Sequence, residues 1–266
     1  MAEGTLVVFH AHPDDEAIAT GGVMAKAAQD GRRVVLVVAT RGEHGEVAEG
    51  YLDPGEQLWE RRVQETHASA DILGVDRVEF LGYVDSGMMG TPENDAPDSF
   101  WQADLEEAAG RLAAILEDER AAVLTIYDEN GVYGHPDHIQ VYRVGVRAAE
   151  LAKTPKVYMS TVDKDRVKAF MRAAVEAGDT GDIPGDLSPE EFELGVEGHR
   201  ITTRVDVHEF APLKRKAMAA HASQISDSSF FLKMSEERFT LAFGEESYIL
   251  VGGDPAQPET DLFAGL

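Results

Sequence analysis

Residues 5–16 have the sequence TLVVFHAHPDDE, in which a short apolar run passes directly into a group of ionisable side chains. The run at 5–9 is rich in β-branched residues, which is typical of a strand buried in a parallel sheet. The acidic residues after it favour the first turn of a helix, predicted over 15–29 and ended at Asp30 and Gly31. His12 is therefore expected at the carboxyl end of a strand, where ligands bind in open α/β sheets.

The alternation of strand and helix continues along the chain. Further strands are predicted over 33–40, 78–83, 122–127 and 155–161, and helices over 58–73, 104–119, 136–151 and 164–177. This order predicts an α/β, Rossmann-like fold, with a mainly parallel sheet and helices on both faces. The loops that carry 41–46, 85–88 and 128–138 should then meet near His12.

The pattern is less regular from residue 184 onward. A helix is predicted over 209–223 and a strand over 247–251, whereas 179–198 is rich in glycine, proline and acidic residues and is expected to be a mobile connection. We predict a single α/β domain over 1–266. Its Rossmann-like core occupies 1–162, and a C-terminal extension over 163–266 completes the substrate pocket.

Composition limits the class of protein. A chain of 266 residues that is 43% hydrophobic can bury a full core, and the absence of cysteine excludes disulfides and thiolate metal ligands. No segment approaches the ~20 continuous apolar residues of a membrane span, and no signal-type N-terminus is present, so a cytoplasmic protein without a membrane partner is expected. The net charge of -25 argues against nucleic acid as a partner, because lysine and arginine must neutralise its phosphates.

Two groups, HPDD at 12–15 and HPDH at 135–138, carry the candidate chemistry. His12 and Asp15 are three residues apart across a turn into a helix, so both side chains can reach one point. His138 or His135 would complete a three-ligand zinc site that leaves one position for water. Asp14 then lies beside an activated water and is a natural general base, so the pattern predicts metal-assisted hydrolysis.

Other interpretations stay open from the residues alone. Each group by itself is also compatible with an ordinary turn or helix start, but two groups at predicted strand ends favour a metal site. His12, Asp14 and a distant histidine match the two-histidine-one-carboxylate pattern of non-haem iron enzymes, which are expected on β-rich barrels rather than on alternating β and α elements. A zinc-stabilised carbohydrate-binding module would use four protein ligands and leave no open position.

Short motifs extend beyond these two groups: AHPDDE at 11–16, TGG at 20–22, TRGE at 40–43 and GHPDH at 134–138. Together they resemble the signatures of the PIG-L/LmbE family of zinc-dependent N-deacetylases. More weakly, KRKAMAAHASQ at 214–224 is similar to a motif of actinobacterial members, which include the mycothiol-pathway deacetylase and the mycothiol S-conjugate amidase. The resemblance implies hydrolytic removal of an N-acyl group, N-acetyl above all, with conjugate-amidase chemistry as the alternative.

The resemblance also implies roles for single residues. The positions that match the family's zinc ligands are His12, Asp15 and His138. Asp14 matches the general base. His135 matches the histidine that faces the reacting carbonyl, where as imidazolium it would stabilise the oxyanion or protonate the leaving amine, and Tyr133 matches a tyrosine that helps to polarise the amide.

Three more residues are candidates for substrate contact. Arg62 and Asp85 resemble positions that bind sugar hydroxyls, although Arg62 is also placed to pair with Glu65 or Glu56, and Asp85 to cap a turn. Glu43 is predicted to contact the substrate or to fix its loop.

The expected cofactor is Zn²⁺, with Fe²⁺ as the alternative, and the expected partner is a small N-acylated amino sugar or glycoconjugate. Glu16 is expected to cap a helix start and His221 to be a buried histidine on an alanine-rich helix. Whether the chain forms a homo-oligomer is left open.

Overall fold

The centre of the protein is a mixed sheet, seen in a computed structural model that describes residues 4–176 and 187–266. Within those residues its strands are β1 (Thr5–His10), β2 (Val34–Val38), β3 (Arg77–Phe80), β4 (Ala121–Tyr127), β5 (Lys156–Thr161), β6 (Thr203–Asp206) and β7 (Glu245–Leu250). Their order across the sheet is β3-β2-β1-β4-β5-β7-β6. The first five strands in that order are parallel, whereas β7 is antiparallel to both β5 and β6.

β1 is the strand at which the chain order of the sheet reverses. β2 and β3 lie on one side of it, and β4 and β5 lie on the other. In open sheets of this kind the connections on the two sides run to opposite faces and leave a crevice at the carboxyl ends of the central strands. The residues after β1 and β4, which include both histidine-proline-aspartate groups, therefore border one crevice.

Helices cover both faces of the sheet. In chain order they are α1 (Asp15–Ala19), α2 (Gly21–Gln29), α3 (Leu58–Leu73), α4 (Leu105–Asp118), α5 (Gly131–Gly134), α6 (Pro136–Ala152), α7 (Lys164–Glu176), α8 (Ala211–Ala220), α9 (Phe230–Lys233) and α10 (Glu236–Phe243). α4 and α6 enclose one apolar cluster that contains Phe9 and Leu112. α2, α3 and α8 enclose the other, which contains Val8 and Met218. None of the helices in the described residues is long and apolar enough to cross a membrane.

The predicted alternation over 5–161 is confirmed, with one difference in the first helix. The helix predicted over 15–29 is divided at Thr20, whose backbone is not helical (φ -131°, ψ 9°). The second piece, α2, begins beside the carboxylate of Glu246, which accepts hydrogen bonds from the N–H groups of Gly22 (2.8 Å) and Val23 (3.0 Å). The cap comes from a residue more than 220 positions away, so local sequence patterns could not indicate it.

The C-terminal portion differs more from expectation. The predicted helix at 209–223 is shorter, because α8 ends before His221, and the predicted late strand is β7. β6 and α10 were not predicted; Ser235 caps the N-terminus of α10, and its hydroxyl accepts the Arg238 N–H (3.3 Å). Part of the segment expected to be mobile, at 179–186, lies outside the described residues.

Candidate active site

β1 and α6 bring the two histidine-proline-aspartate groups together at the crevice. His12 lies two residues beyond β1, and His138 lies in the first turn of α6, which begins at Pro136. His135 precedes that turn as its N-terminal cap, and its Nδ1 accepts the Asp137 N–H (3.1 Å). The ring of His12 is centred 4.6 Å from that of His135 and 5.4 Å from that of His138.

His12, Asp15 and His138 converge on one point. Oδ2 of Asp15 lies 3.3 Å from Nδ1 of His12 and 3.4 Å from Nε2 of His138. Donor atoms bound to a tetrahedral zinc at about 2.0–2.1 Å lie roughly 3.3 Å from each other. The two distances from Oδ2 of Asp15 to the ring nitrogens therefore fit ligands of one zinc ion.

The second ring nitrogen of His12 contacts carboxylates as well. Its Nε2 donates to Oδ2 of Asp137 (3.1 Å) and lies 3.5 Å from Oδ1 of Asp85. Burial by itself lowers the pKa of His12, but Asp85, Asp137 and Asp15 together outweigh burial and raise this pKa well above its usual range. This excess of buried negative charge suits a site that holds a cation.

Two groups of buried side chains have donor atoms that all lie within 4.8 Å of one another, namely His12 with His135 and His138, and His12 with Asp85 and Asp137; Asp15 belongs to neither group. We favour the group with Asp15 for two reasons. A metal-ligating histidine commonly donates its second ring N–H to a carboxylate, which is the role of Asp137 here. Asp137 is also fully buried, whereas Asp15 is partly exposed at the crevice, where a catalytic metal needs an open position.

Asp14 lies beside this group in an unusual backbone conformation. Its φ is 99° and its ψ is -32°, a region that residues with a Cβ rarely adopt. Burial raises the pKa of Asp14 to about 6, the positive charge of Arg62 opposes this shift, and the negative charge of Asp15 adds to it. The carboxylate oxygen nearest Arg62 is 3.6 Å from Nη2.

His135 and Tyr133 border the open side of the group. Burial, together with the nearby His12 and His138 rings, lowers the pKa of His135 to about 4. Because Nδ1 of His135 accepts a backbone N–H, its proton is on Nε2, which differs from the imidazolium expected from the sequence. The side chain of Tyr133 is 48% exposed, and its hydroxyl lies 3.5 Å from Nε2 of His138.

The three predicted substrate contacts already have partners within the protein. Arg62 is 4% exposed and donates to the carbonyls of Pro13 (2.5 Å) and Gly42 (2.9 Å). It does not pair with Glu56, which binds its neighbour Arg61 instead. Oδ1 of Asp85 accepts the N–H of Gly87 (2.8 Å). Glu43 accepts from Arg41 (2.9 Å) and from the N–H of Asp85 (3.1 Å).

Several buried polar residues beside the site were not singled out from the sequence. Asp137 lies inside the HPDH motif, yet its role emerges only from contacts: it accepts from the N–H (2.9 Å) and the hydroxyl of Ser86 as well as from His12. Tyr127 stacks on the His138 ring with centroids 4.2 Å apart, and its hydroxyl is hydrogen-bonded to Nδ1 of His10 (2.8 Å). Tyr127 could have been identified from the sequence by its position at the carboxyl end of the strand predicted over 122–127.

Comparisons with known proteins find similarity to N-deacetylases. A family model described as PIG-L: GlcNAc-PI de-N-acetylase matches residues 7–149. A 1D-myo-inositol 2-acetamido-2-deoxy-alpha-D-glucopyranoside deacetylase from Acidothermus cellulolyticus is 43% identical, over 98% of this chain and 95% of the relative. An enzyme of the same name, numbered 1, from Catenulispora acidiphila is 41% identical, over 98% of this chain and 89% of the relative.

Among solved structures, the N,N'-diacetylchitobiose deacetylase from Pyrococcus horikoshii superposes with a TM-score of 0.59 at 24% identity. The superposition covers 93% of this chain and 83% of the other. At that identity the likeness shows the fold alone.

Proposed function

Because the chain belongs to the PIG-L family of de-N-acetylases, we propose that it hydrolyses the acetamide of 1D-myo-inositol 2-acetamido-2-deoxy-α-D-glucopyranoside, with zinc as its metal. The observation that carries this proposal is the identity of 41% and 43% to deacetylases of that name over 98% of the chain. The products are acetate and the free amino sugar. The general activity, N-deacetylation of a small N-acetylated amino sugar, follows from the family and these relatives.

The proposed metal ligands are Nδ1 of His12, Oδ2 of Asp15 and Nε2 of His138. Oδ2 of Asp15 lies 3.3 Å from the proposed donor atom of His12 and 3.4 Å from that of His138, which supports this choice. A zinc ion supplies Lewis acidity, which activates water at neutral pH and polarises a carbonyl group. Asp137 would orient the His12 ring through Nε2.

The chain's own residues account for the proton transfers. Asp14 takes the proton of the attacking water as general base and returns it to the amine nitrogen when the C–N bond breaks. His135 donates a hydrogen bond from Nε2 to the developing oxyanion, and the hydroxyl of Tyr133 supports it from the exposed side. The partial exposure of Tyr133 is consistent with a residue at the pocket entrance.

We assign Arg62, Asp85 and Glu43 an indirect part in substrate binding. Their hydrogen bonds connect the loops that follow β1, β2 and β3. These three loops form the wall of the crevice, so the three side chains fix the shape that the sugar meets.

A direct assay tests the proposal. Zinc-loaded protein is incubated with the inositol substrate, and acetate and the free amine are measured in parallel; we expect both in equal amounts. Asp14→Asn should retain zinc and lose at least a factor of about 10² in kcat. Asp71→Asn, an exposed aspartate on α3, is the matched control and should keep the wild-type rate.

The same assay distinguishes deacetylation from the alternative activity, hydrolysis of a mycothiol-type conjugate. A mycothiol-type conjugate is offered in a second reaction, and release of a mercapturic-acid-like product in preference to acetate would favour the amidase. If neither substrate is cleaved, the proposed substrate is wrong and other N-acylated amines must be offered.

A further inference from the structure

The peptide bond between Pro13 and Asp14 is held at both of its polar groups. Its carbonyl oxygen accepts a hydrogen bond from Nη2 of Arg62 (2.5 Å), and its N–H donates to Oε2 of Glu16 (3.0 Å). Both partners are buried charged side chains, with Glu16 at 0% and Arg62 at 4% exposure. Rotation of this peptide would break both bonds at once, so its orientation is fixed.

This orientation matters because it sets the backbone of Asp14. A φ of 99° places the Cβ of Asp14 in a conformation that the backbone does not favour by itself. Such a conformation persists where surrounding contacts impose it. The contacts here include the two hydrogen bonds to the preceding peptide and those that the Asp14 carbonyl accepts from the N–H groups of Ala17 (3.1 Å) and Ile18 (3.2 Å).

Glu16 is in turn fixed by a residue from the far end of the chain. Its other oxygen, Oε1, lies 2.6 Å from Nε2 of His221 and accepts the hydroxyl of Ser69 at 2.6 Å. His221 is fully buried and follows the last residue of α8. It lies beyond residues 7–149, which the family model matches.

The turn that carries His221 is anchored to the same helix as Arg62. Glu65 of α3 accepts hydrogen bonds from the N–H (2.9 Å) and the hydroxyl (2.6 Å) of Ser223. Arg62, Glu65 and Ser69 occupy one face of α3 at spacings of three and four residues. One buried polar face thus connects the turn after α8 to the turn that carries Asp14.

We propose that His221 is a positioning residue for the general base. Acting through Glu16, and opposite Arg62, it holds the Pro13–Asp14 peptide so that the Asp14 carboxylate faces the attacking water. The proposal rests on the proposed function, because the role of Asp14 as base is part of it. In this way the C-terminal portion of the chain helps to position the side chain of Asp14.

Variants of His221 test this. His221→Leu should lower kcat by a factor on the order of 10 to 10², leave KM within about twofold, and leave zinc affinity unchanged. His221→Gln, whose side-chain amide can donate to Glu16, should recover most of kcat. Hydrogen exchange of the Asp14 amide, measured on the same proteins, should be faster in His221→Leu than in the wild type.

The matched control is a second buried ion pair near α8. Lys214 donates to Glu246 at 2.6 Å, and their side chains are only 2% and 3% exposed. The other groups that donate to Glu246 are the N–H groups of Gly22 and Val23 and the hydroxyl of Tyr248, outside the Asp14 turn. Lys214→Met should lower the stability without changing the kcat of the folded protein. Because His221 acts through Asp14, adding His221→Leu to Asp14→Asn should lower kcat no further.

Several outcomes would overturn the proposal. Wild-type kcat in His221→Leu, an equal loss of kcat in Lys214→Met, or additive losses in the double variant would each do so. If His221→Leu does not fold, His221→Asn replaces it with a polar side chain too short to reach Oε1 of Glu16, and unchanged kcat and Asp14 exchange in that variant overturn the proposal. If the wild type itself releases no acetate, the proposed function fails, while the exchange measurement still tests the coupling of His221 to Asp14.

Discussion

At the scale of single residues, Asp14, the proposed general base, has a positive φ of the kind that glycine adopts readily. Its sequence context, between Pro13 and Asp15, favours a turn but does not specify a φ of 99°. Glu16, two residues further along, and Arg62, from α3, hold the peptide before Asp14 through hydrogen bonds. The conformation therefore depends on a distant contact as well as on the local sequence.

Substitution of Asp14 should reveal the strain. We expect Asp14→Gly to be more stable to unfolding by urea than Asp14→Ala, by about 1 kcal/mol, because glycine adopts positive φ without a Cβ clash. Both variants lose the carboxylate, so the comparison isolates the backbone. At Glu117, an exposed position in α4, the order should reverse and glycine should be the less stable. Equal stability of the two Asp14 variants would show that the backbone is unstrained.

Two of the carboxylates that contact His12, those of Asp15 and Asp137, should affect metal binding unequally. Asp15→Asn removes a proposed ligand and should abolish tight zinc binding, measured by competition with a chelator. Asp137→Asn should weaken zinc binding by about 10–100-fold, because it removes only the partner that orients the His12 ring. If Asp137→Asn proves the more damaging change, the metal lies instead with Asp85 and Asp137 on the Nε2 side.

At the scale of elements, α6 is the helix whose placement matters most for the site. Its N-terminal turn supplies His135, Asp137 and His138, and its middle packs on β4. Gly145 lies at that contact, where an added Cβ would meet Cγ2 of Ile126 at 2.3 Å. The absence of a side chain at 145 sets the depth at which α6 sits on the sheet.

Substitution of this glycine should therefore be costly. Gly145→Ala should destabilise the protein by about 1–3 kcal/mol, because α6 must shift away from β4 to accept the methyl group. Gly110→Ala in the neighbouring α4 meets nothing within 4 Å and should stabilise the protein by about 0.5–1 kcal/mol through helix propensity. Urea unfolding of both variants measures the difference, and a stabilising Gly145→Ala would contradict the close approach.

The bounds of α3 could be predicted from the sequence, but the partners of its polar side chains could not. The helix predicted over 58–73 ends at Gly74, as the structure has it. The sequence indicated that Arg62 contacts the substrate or pairs with Glu65 or Glu56, but Arg62 and Glu65 are both buried and have different partners. Periodicity located the helix, but it did not indicate that a buried face would be polar, because the partners are contributed by Pro13, Glu16 and Ser223.

At the scale of the whole molecule, the C-terminal portion is part of the core rather than an addition to it. β7 pairs with β5 and carries Glu246, which caps α2. α8 packs on α2 and α3 over the apolar cluster that contains Val8. Removal of 163–266 would expose that cluster and leave β5 as an edge strand.

We therefore expect residues 1–162, expressed alone, to lack a cooperative thermal transition by circular dichroism and to aggregate. Addition of 163–266 in trans should restore soluble, cooperatively folded protein. A stable, monomeric 1–162 fragment would contradict the prediction of a single domain over 1–266.

The sequence by itself determined the features that depend on neighbours along the chain. Strand and helix alternation over 5–161 follows from side-chain periodicity, and the proximity of His12 and Asp15 follows from a turn of three residues. The reversal of strand order at β1 then brings the loop after β4 to the same crevice.

Only the tertiary structure decided the features that join distant segments. The orientation of the His12 ring depends on its contact with Asp137, 125 positions away, which leaves the other ring nitrogen to face Asp15. The position of Glu16 depends on His221, 205 positions away. Such contacts are set by how closely helices pack on the sheet, as Gly145 shows, and by which buried polar groups find partners there. A local sequence pattern contains neither the packing distance nor the identity of the buried partners. The two motifs could therefore be located from the sequence, whereas the support of Asp14 by His221 could not.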